Sequence, residues 1–280
     1  MTLDALAFAC VRKLVYERAA IVLDDSKHYL VESRLASLAH EHGFANVDEL
    51  CASLPRAPER LQSAVVEAMT TNETSFFRDH HPFEAIRRVA LPELIAQRAR
   101  KRTLRIWCAA CSSGQEPYSV AIMLDEHFPA LSTWRVQIYA TDLASSVVAR
   151  AREGRYSQIE VNRGLSAAAL VRYFTRDGLE YTLKSEIRKR VQFSELNLIG
   201  SWPTLEPFDL VLLRNVLIYF DHPTKLKILQ RMRTHLASDG YLMLGGAETL
   251  PNEVRWLTRV AVPRGGLLRA SRTSESSHAP

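Results

Sequence analysis

The stretch Leu104-Arg-Ile-Trp-Cys-Ala-Ala-Cys-Ser-Ser-Gly-Gln-Glu-Pro-Tyr-Ser119 decides the fold of this chain. It begins with a short apolar run typical of a buried strand, and every residue from Cys108 to Gly114 is small. Glu116 and Pro117 then open an apolar-periodic run, which predicts a helix with proline near its first turn. Strand, small-residue turn and helix predict the first βα unit of a nucleotide-binding α/β sheet, in which small side chains let a ligand lie against the backbone.

The turn in this unit is not a phosphate-binding loop. It contains neither the GxGxxG pattern nor the GxxxxGK(S/T) pattern. A ligand without phosphates therefore fits better. A tight turn between any strand and any helix is the alternative interpretation of the same residues.

Length and composition bound the class of protein. The 280 residues, 47% of them hydrophobic, suffice for one large domain or two smaller ones. No apolar run reaches transmembrane length, and Met1-Thr-Leu-Asp4 lacks the basic start of a signal peptide, so we expect a soluble, cytoplasmic protein without direct membrane insertion. The CxxC pair Cys108 and Cys111 has no second pair beside it, so we expect two buried thiols and no metal site.

The net charge of +5 is unevenly distributed. Residues 1–80 carry 8 basic and 12 acidic side chains, whereas residues 81–280 carry 28 basic and 19 acidic ones. The larger part is thus suited to nucleic acid, an acidic protein surface or a ligand carboxylate. The basic clusters at 98–102 and 188–190 are not interleaved with aromatic residues, so solvated faces are favoured and no nucleic-acid partner is predicted.

The apolar spacing predicts only helices before residue 100. We therefore predict an N-terminal helical domain over residues 1–75 and an α/β domain over residues 76–270. The segment Thr70-Thr-Asn-Glu-Thr-Ser-Phe-Phe-Arg78 has no clean period. It is interpreted either as a linker or as a segment with a further role, since a linker rarely ends in two large aromatic residues and an arginine. A further helix is predicted from His81 to Arg100.

Polar residues follow two of the predicted strands. Val136–Ala140 is followed by Thr141 and Asp142, and an acidic residue at the end of the second strand can accept hydrogen bonds from both hydroxyls of a ribose. A helix N-cap is the alternative role of Asp142. The buried strand Phe208–Leu213 ends at Arg214-Asn215, where open α/β sheets bind ligands.

A small β-subdomain is predicted within the α/β domain. The alternating runs Leu179–Leu183 and Arg190–Phe193, with a turn at Arg176-Asp-Gly178, indicate an antiparallel insertion over residues 155–193. A helix over 224–236 and strands over 241–244 and 267–269 follow. The Ser-rich residues 271–280 are predicted to be disordered.

These segments resemble the CheR family, the chemotaxis-receptor glutamate O-methyltransferases. The matching motifs occur in the family's order and spacing and cover nearly the whole chain; they are Thr70–Arg78, Ala109–Ser119, Ala140-Thr-Asp142, Asn197-Leu198 and Phe208–Asp221. The resemblance implies a Rossmann-like S-adenosylmethionine-dependent methyltransferase domain of the α/β class, with an inserted antiparallel β-subdomain and a preceding all-α domain. The implied methyl acceptor is a glutamate on the cytoplasmic helical bundle of a chemoreceptor, and the implied second product is S-adenosylhomocysteine.

Site residues carry over from the family's motifs. The implied cofactor contacts are Asn72, Thr74, Arg78, Glu116, Asp142, Asn197, Leu198, Arg214 and Asn215. In chemical terms Arg78 suits the cofactor's carboxylate, Glu116 its ammonium, Asp142 its ribose and Asn197 an adenine edge. Because a glutamate is ionised at pH 7, no strong base is expected. Arg78 and Tyr219 are the predicted orienting groups at the catalytic centre, and a strand-end core position is the alternative for Tyr219.

Two features depart from the family's pattern. Some members have a longer, Gly-rich loop that docks a pentapeptide at the receptor's C-terminus, but the corresponding loop here is only Arg176-Asp-Gly178, which indicates a pentapeptide-independent enzyme. The helical domain, which in the family is thought to meet the receptor with a basic surface, is net acidic here. Its candidate contacts are Arg12, Lys13, Lys27 and Arg34. A methyltransferase acting on nucleic acid or a small molecule, and a non-catalytic scaffold, are the competing hypotheses.

Overall fold

The computed structural model describes residues 3–264 and 266–271. The first part is a four-helix domain whose apolar faces form one buried cluster. Asp4 begins the first helix by accepting a hydrogen bond from the Leu6 N–H, and Asn46 does the same for the third through the Glu49 N–H, as N-cap residues do. The four helices are α1 (Ala5–Ala19), α2 (His28–Glu41), α3 (Val47–Ser53) and α4 (Glu59–Met69).

A mixed seven-stranded sheet follows. Its strands are β1 (Thr103–Ala109), β2 (Arg135–Asp142), β6 (Val191–Glu195), β7 (Phe208–Leu213), β8 (Leu236–Leu244), β9 (Leu257–Arg259) and β10 (Gly266–Ala270). The order across the sheet is β6-β2-β1-β7-β8-β10-β9. The first five strands are parallel, whereas β10 runs antiparallel to both β8 and β9. The sequence predicted β1, β2, β7, β8 and β10 and missed β9.

Helices cover both faces of the sheet, so its central strands are buried on both sides and consist almost wholly of apolar residues. Their bounds are α5 (His81–Ala85), α6 (Leu91–Arg98), α7 (Gln115–His127), α8 (Ser145–Glu153), α9 (Gln158–Asn162), α10 (Ala167–Tyr173), α11 (Ser185–Arg188) and α12 (His222–His235). A π-helical turn, Ile86–Ala90, interrupts the helix predicted from His81 to Arg100.

The inserted subdomain is a three-stranded antiparallel sheet in the order β3-β5-β4. Its strands are β3 (Arg155–Ser157), β4 (Phe174–Asp177) and β5 (Glu180–Leu183). The prediction that Arg190–Phe193 belongs to this sheet is wrong. Val191 opens β6, which pairs in parallel with Ile138 and the residues after it in β2, because the edge of the main sheet offers unpaired backbone groups there.

The domain limits 1–75, 76–270 and 155–193 stay predictions, although β6 shows that the last residues of the insertion pair with the main sheet. The predicted disorder of residues 271–280 lies, from residue 272 onward, outside the described residues. Among the helices that the structure describes, none combines the length and the apolar character needed to cross a membrane.

Candidate active site

One cleft at the carboxyl ends of β1, β2 and β7 contains every predicted site residue. It encloses about 860 Å³ of empty space, counting the part open to solvent. The predicted residues on its wall are Asn72, Thr74, Arg78, Glu116, Asp142, Asn197, Leu198, Arg214, Asn215 and Tyr219. These side chains come from five separate stretches of the sequence, so the fold itself brings them together.

The turn after β1 forms the floor of the cleft. Ala110 and Ser112 adopt left-handed backbone conformations, with φ of 59° and 51°, and Gly114 follows at 94°. Left-handed conformations are uncommon for residues other than glycine, so this turn is tightly constrained. The Cys111 N–H donates to the Thr141 carbonyl at 2.9 Å, so the turn is bound to the end of β2.

Asp142 is a buried carboxylate held by the backbone. It accepts hydrogen bonds from the Ser112 N–H at 2.7 Å and from the Ala144 N–H at 3.1 Å. Burial raises the pKa of Asp142 above its ordinary value, while these backbone bonds oppose the rise. The alternative role as N-cap of α8 does not hold, because Ala144 occupies that position. Instead Glu67 of α4 accepts hydrogen bonds from the Ser145 and Ser146 N–H groups of α8, at 3.1 and 3.4 Å.

Arg214 and Glu116 form a buried ion pair at the centre of the cleft wall. Arg214 Nη1 donates to Glu116 Oε2 at 2.9 Å, and Nη2 donates to both the Arg78 carbonyl and Asp79 Oδ2 at 2.9 Å. The side chain of Arg214 is 1% exposed and that of Glu116 is 11% exposed. Burial raises the pKa of Glu116, and the neighbouring Arg214 opposes the rise. The pair fixes the position of Glu116 at the cleft.

The segment between the domains is part of the site and not a mere linker. The Ser112 hydroxyl donates to the Asn72 carbonyl at 2.7 Å, and Arg78 Nη1 donates to the Glu73 carbonyl at 2.8 Å. Arg34 of α2 also binds the start of the segment, because its guanidinium donates to the Met69 and Thr70 carbonyls at 2.8 Å. Thr74 lies half-buried on the same wall.

Asn197 and Leu198, which follow β6, also line the cleft. The Asn197 side chain donates to the Arg18 carbonyl at 2.7 Å and accepts from the Ile199 N–H at 3.1 Å. Two of its hydrogen-bonding positions are therefore used within the protein, which leaves one amide N–H and one oxygen lone pair for a ligand. Leu198 is buried and adds apolar surface.

Tyr219 lies at the junction of the two domains. It belongs to a short 3₁₀ turn, Leu217–Tyr219, and is half-buried on the cleft wall, so the alternative of a strand-end core residue does not describe it. Its carbonyl accepts a hydrogen bond from the Val22 N–H at 2.9 Å, and Ile21 pairs with Phe220 as an antiparallel bridge.

Sequence reasoning missed three parts of this site. Ala19 and Ile21 reach the cleft from the helical domain through contacts between distant segments, which no local pattern indicates. Glu248, after β8, binds the turn behind Asn215. Its only signal is a single acidic residue shortly after a predicted strand.

The structure also places the two thiols, the basic clusters and the suggested receptor contacts. Burial raises the pKa of both Cys108 and Cys111 well above the ordinary value, so both remain thiols. In the basic clusters, Arg98 pairs with Asp209 at 2.7 Å and Arg190 with Asp125 at 2.7 Å. Of the four basic residues suggested for receptor contact, Arg12 pairs with Asp25, Lys13 approaches Glu17, and Arg34 is bound as described above.

The chemistry of the cleft fits the cofactor that the resemblance implies. S-adenosylmethionine carries a cationic sulfonium and an ammonium, and the wall presents two buried carboxylates, Glu116 and Asp142. The guanidinium of Arg78 has five N–H donors, and its bond to the Glu73 carbonyl uses one of them, which leaves others for a carboxylate. The small-residue floor admits a flat ring close to the backbone.

Comparison with protein families agrees with this geometry. The model of the CheR methyltransferase SAM-binding domain matches residues 72–265, and that of the CheR methyltransferase all-alpha domain matches residues 6–70. The second match covers the four-helix domain, and the first covers the α/β domain with its insertion.

The alignments with individual relatives span most of each relative's length. Chemotaxis protein methyltransferase 1 of Pseudomonas aeruginosa is 44% identical over 88% of this chain and 90% of its own. Chemotaxis protein methyltransferase Cher2 of Pseudomonas putida is 41% identical over 89% and 92%, and the chemotaxis protein methyltransferase of Vibrio parahaemolyticus is 39% identical over 85% and 87%. The chain therefore belongs to the CheR methyltransferase family and is an S-adenosylmethionine-dependent methyltransferase.

Proposed function

We propose that this enzyme transfers a methyl group to the side-chain carboxylate of glutamate residues on the cytoplasmic helices of chemoreceptors, forming methyl esters in chemotactic adaptation. The curated relatives are named for chemotaxis, which supports the pathway. The cytoplasm, where such helices lie, is the proposed location.

The observation that carries the choice of acceptor is the set of titratable groups on the cleft wall. Among the described residues that line the cleft there is no histidine and no lysine. Glu116 is paired with Arg214, and Asp142 is held by backbone N–H groups. The remaining carboxylate, Glu73, bonds to Arg163, which lowers its pKa and makes it a weak base. This arrangement suits an acceptor that is already ionised, such as a glutamate, because it needs no deprotonation.

The residues of the cleft have separate proposed roles toward the cofactor. Asp142 would hold the ribose hydroxyls, Glu116 the ammonium, Arg78 the carboxylate, and Asn197 with Leu198 the adenine. The remaining contacts would come from Asn72, Thr74, Arg214 and Asn215. When bound, S-adenosylmethionine supplies an electrophilic methyl carbon on a sulfonium, which becomes a neutral thioether as the methyl passes to a carboxylate oxygen.

Catalysis by this chain would consist of orientation and exclusion of water. Tyr219 and Arg78 both line the cleft and can donate hydrogen bonds to an incoming carboxylate. Holding that carboxylate in line, in a partly enclosed cleft, replaces its hydration shell with fixed donors.

The receptor would be recognised without a C-terminal pentapeptide. Strands β4 and β5 are joined by a two-residue turn, Gly178-Leu179, with φ of 59° at the glycine. This hairpin offers no extended loop on which a peptide could dock. The methylation-site helices would then be the main recognition element.

The test is transfer of a radiolabelled methyl group from S-adenosylmethionine to receptor-containing membranes, scored as volatile methanol released by base. We expect a signal with full-length receptors and with receptors that lack their last five residues. Asp142→Ala should abolish the signal, and Glu206→Gln, which changes an exposed carboxylate that pairs with Arg105 away from the cleft, should retain it.

The outcomes separate the two parts of the proposal. A signal that depends on the pentapeptide would keep the acceptor and contradict the argument from the short hairpin. Cofactor binding without methanol release from any receptor would contradict the glutamate acceptor, and labelling of nucleic acid or a small molecule would replace it.

A further inference from the structure

The turn that follows β7 is bound by one carboxylate from another part of the sequence. Glu248 Oε2 accepts hydrogen bonds from the Asn215 N–H at 2.9 Å and the Gly245 N–H at 2.6 Å. Its Oε1 accepts from the Val216 N–H at 2.9 Å and the Leu217 N–H at 2.7 Å. A carboxylate has about four acceptor positions, so Glu248 satisfies four backbone donors at once.

The bound turn carries part of the cofactor site. Arg214, Asn215 and Val216 all line the cleft. Asn215 adopts a left-handed conformation with φ of 57°. Asparagine tolerates this conformation better than most residues, and the Glu248 carboxylate holds the turn further by binding the N–H of Asn215 and of the two residues after it.

Gly245 shows how closely the two chain segments approach. A Cβ at this position would lie 2.8 Å from Glu248 Oε2 and 2.9 Å from the Asn215 nitrogen, closer than real Cβ contacts allow. The turns after β7 and β8 therefore meet through a carboxylate with no room for a side chain between them. Glu248 itself is buried and does not lie on the cleft wall.

We propose that Glu248 is a positioning residue of the cofactor site, which acts through the backbone of residues 214–217 and sets the placement of Arg214 and Asn215. The proposal rests on the assignment of the cleft to the cofactor. Loss of the Glu248 carboxylate should weaken cofactor binding more than a substitution elsewhere in the sheet that lowers stability by the same amount. The charge matters as much as the shape, because all four partners are donors.

The experiment compares Glu248→Gln with Asp209→Asn. Both replace a buried carboxylate by its isosteric amide, and Asp209 also binds a backbone N–H, that of Arg105, but at the opposite end of β7. We expect both variants to lower Tm, whereas the Kd for S-adenosylhomocysteine, measured by calorimetry, rises at least tenfold in Glu248→Gln and less than twofold in Asp209→Asn. An unchanged Kd in Glu248→Gln, or an equal rise in both variants, would overturn the proposal.

A second variant covers the case in which Glu248→Gln does not fold. Gly245→Ala keeps Glu248 in the sequence, but the added Cβ displaces its carboxylate from the Asn215 N–H. We expect the same Kd to rise severalfold, and an unchanged Kd would contradict the positioning role. Asp142→Ala serves as the reference for the cleft. If it too leaves the Kd unchanged while the wild type binds, the cleft assignment itself is wrong. The methyl acceptor does not enter these measurements.

Discussion

The two ends of strand β7 both carry buried ion pairs, but the pairs have different surroundings. At the amino end, Asp209 binds Arg98 Nε at 2.7 Å and the Arg105 N–H at 2.8 Å, and the same Arg98 binds Asp239 through Nη2 at 2.6 Å. At the carboxyl end, Arg214 is paired with Glu116, but it also lies on the wall of a cleft. One network joins strands and a helix, whereas the other holds groups ready for a ligand.

Left-handed backbone occurs at both ends, because Arg102, directly before β1, has φ of 49°. Near the cleft, Ala110, Ser112 and Asn215 are left-handed, although none is glycine. Strained residues of this kind concentrate at functional sites, where surrounding contacts hold them. The comparison shows that a buried ion pair alone does not identify the active site in this fold. The distinguishing feature is the cleft beside it.

Arg214→Met should have the largest effect. It leaves Glu116 buried without its partner, and breaking a buried pair in this way costs about 3–5 kcal/mol of folding free energy. Methyl transfer should be lost at the same time. Urea unfolding measures the first effect and the methanol assay the second. Normal transfer by the folded variant would show that the carboxyl-end pair is as purely structural as the amino-end one.

Asp142→Ala should weaken binding of S-adenosylhomocysteine about a hundredfold, which corresponds to about 2.7 kcal/mol. The carboxylate would be lost to the ribose hydroxyls, and the turn at Ser112 would lose its acceptor. Calorimetry measures the change. Unchanged affinity would contradict the ribose assignment.

The pH dependence should also belong to the carboxyl end. Burial raises the folded-state pKa of Asp142 above its ordinary 3.8, so the folded chain binds this proton more tightly than the unfolded chain. Its contribution to stability is therefore full below pH 3.8 and is lost as the pH rises through the folded-state pKa. Cofactor affinity should rise over the same pH window, because the ionised Asp142 carboxylate accepts hydrogen bonds from the ribose hydroxyls.

Asp142→Asn tests this pH effect, since an amide does not titrate. Denaturant unfolding and calorimetry across the acidic range should both become flatter than in the wild type. Equal slopes in the two proteins would assign the dependence to another group, of which Glu116, whose pKa is also raised by burial, is the first candidate.

Asp209→Asn should cost about 1–2 kcal/mol of stability, because one of its two donor partners would face an amide N–H group. Cofactor affinity and methyl transfer should be unchanged. Thermal unfolding together with calorimetry checks both. A marked loss of affinity would mean that the two ends of β7 are coupled.

Glu206→Gln should have the smallest effect. Glu206 pairs with Arg105 at 2.7 Å; the carboxylate is 84% exposed, whereas the arginine is 10% exposed. The amide of the variant can still accept a hydrogen bond from Arg105, so we expect a loss of about 0–1 kcal/mol. We expect stability and activity close to the wild type by the same assays. A loss above 1 kcal/mol by urea unfolding would show that Arg105 depends on this partner despite its exposure.

The sequence predicted much of the fold because local patterns carried the information. The small residues from Cys108 to Gly114 indicated the tight turn, and the apolar runs indicated most of the central strands. Strand β6 was misplaced because its alternation is the same whether it pairs with the insertion or with β2. Which edge it joins is decided by tertiary packing, which local alternation does not record.

The candidate site was predicted through motifs, and what was missed depends on long-range contacts. Asp142 and Arg214 were found because they follow buried strands directly. Ile21 reaches the cleft by pairing with Phe220, and Glu248 acts through four backbone groups in other turns. Likewise, the sequence suggested Arg34 as a receptor contact, whereas the fold places its guanidinium on the Met69 and Thr70 carbonyls.

The most direct test of the proposed activity is mass spectrometry of receptor peptides after reaction with isotopically labelled S-adenosylmethionine. We expect the label on glutamate side chains of the cytoplasmic helices, and we expect mild base to remove it, because a methyl ester hydrolyses. Its absence after reaction with Asp142→Ala, and its presence with Glu206→Gln, would tie the product to the cleft. A base-stable methyl group on another residue type, or on another class of molecule, would contradict the account.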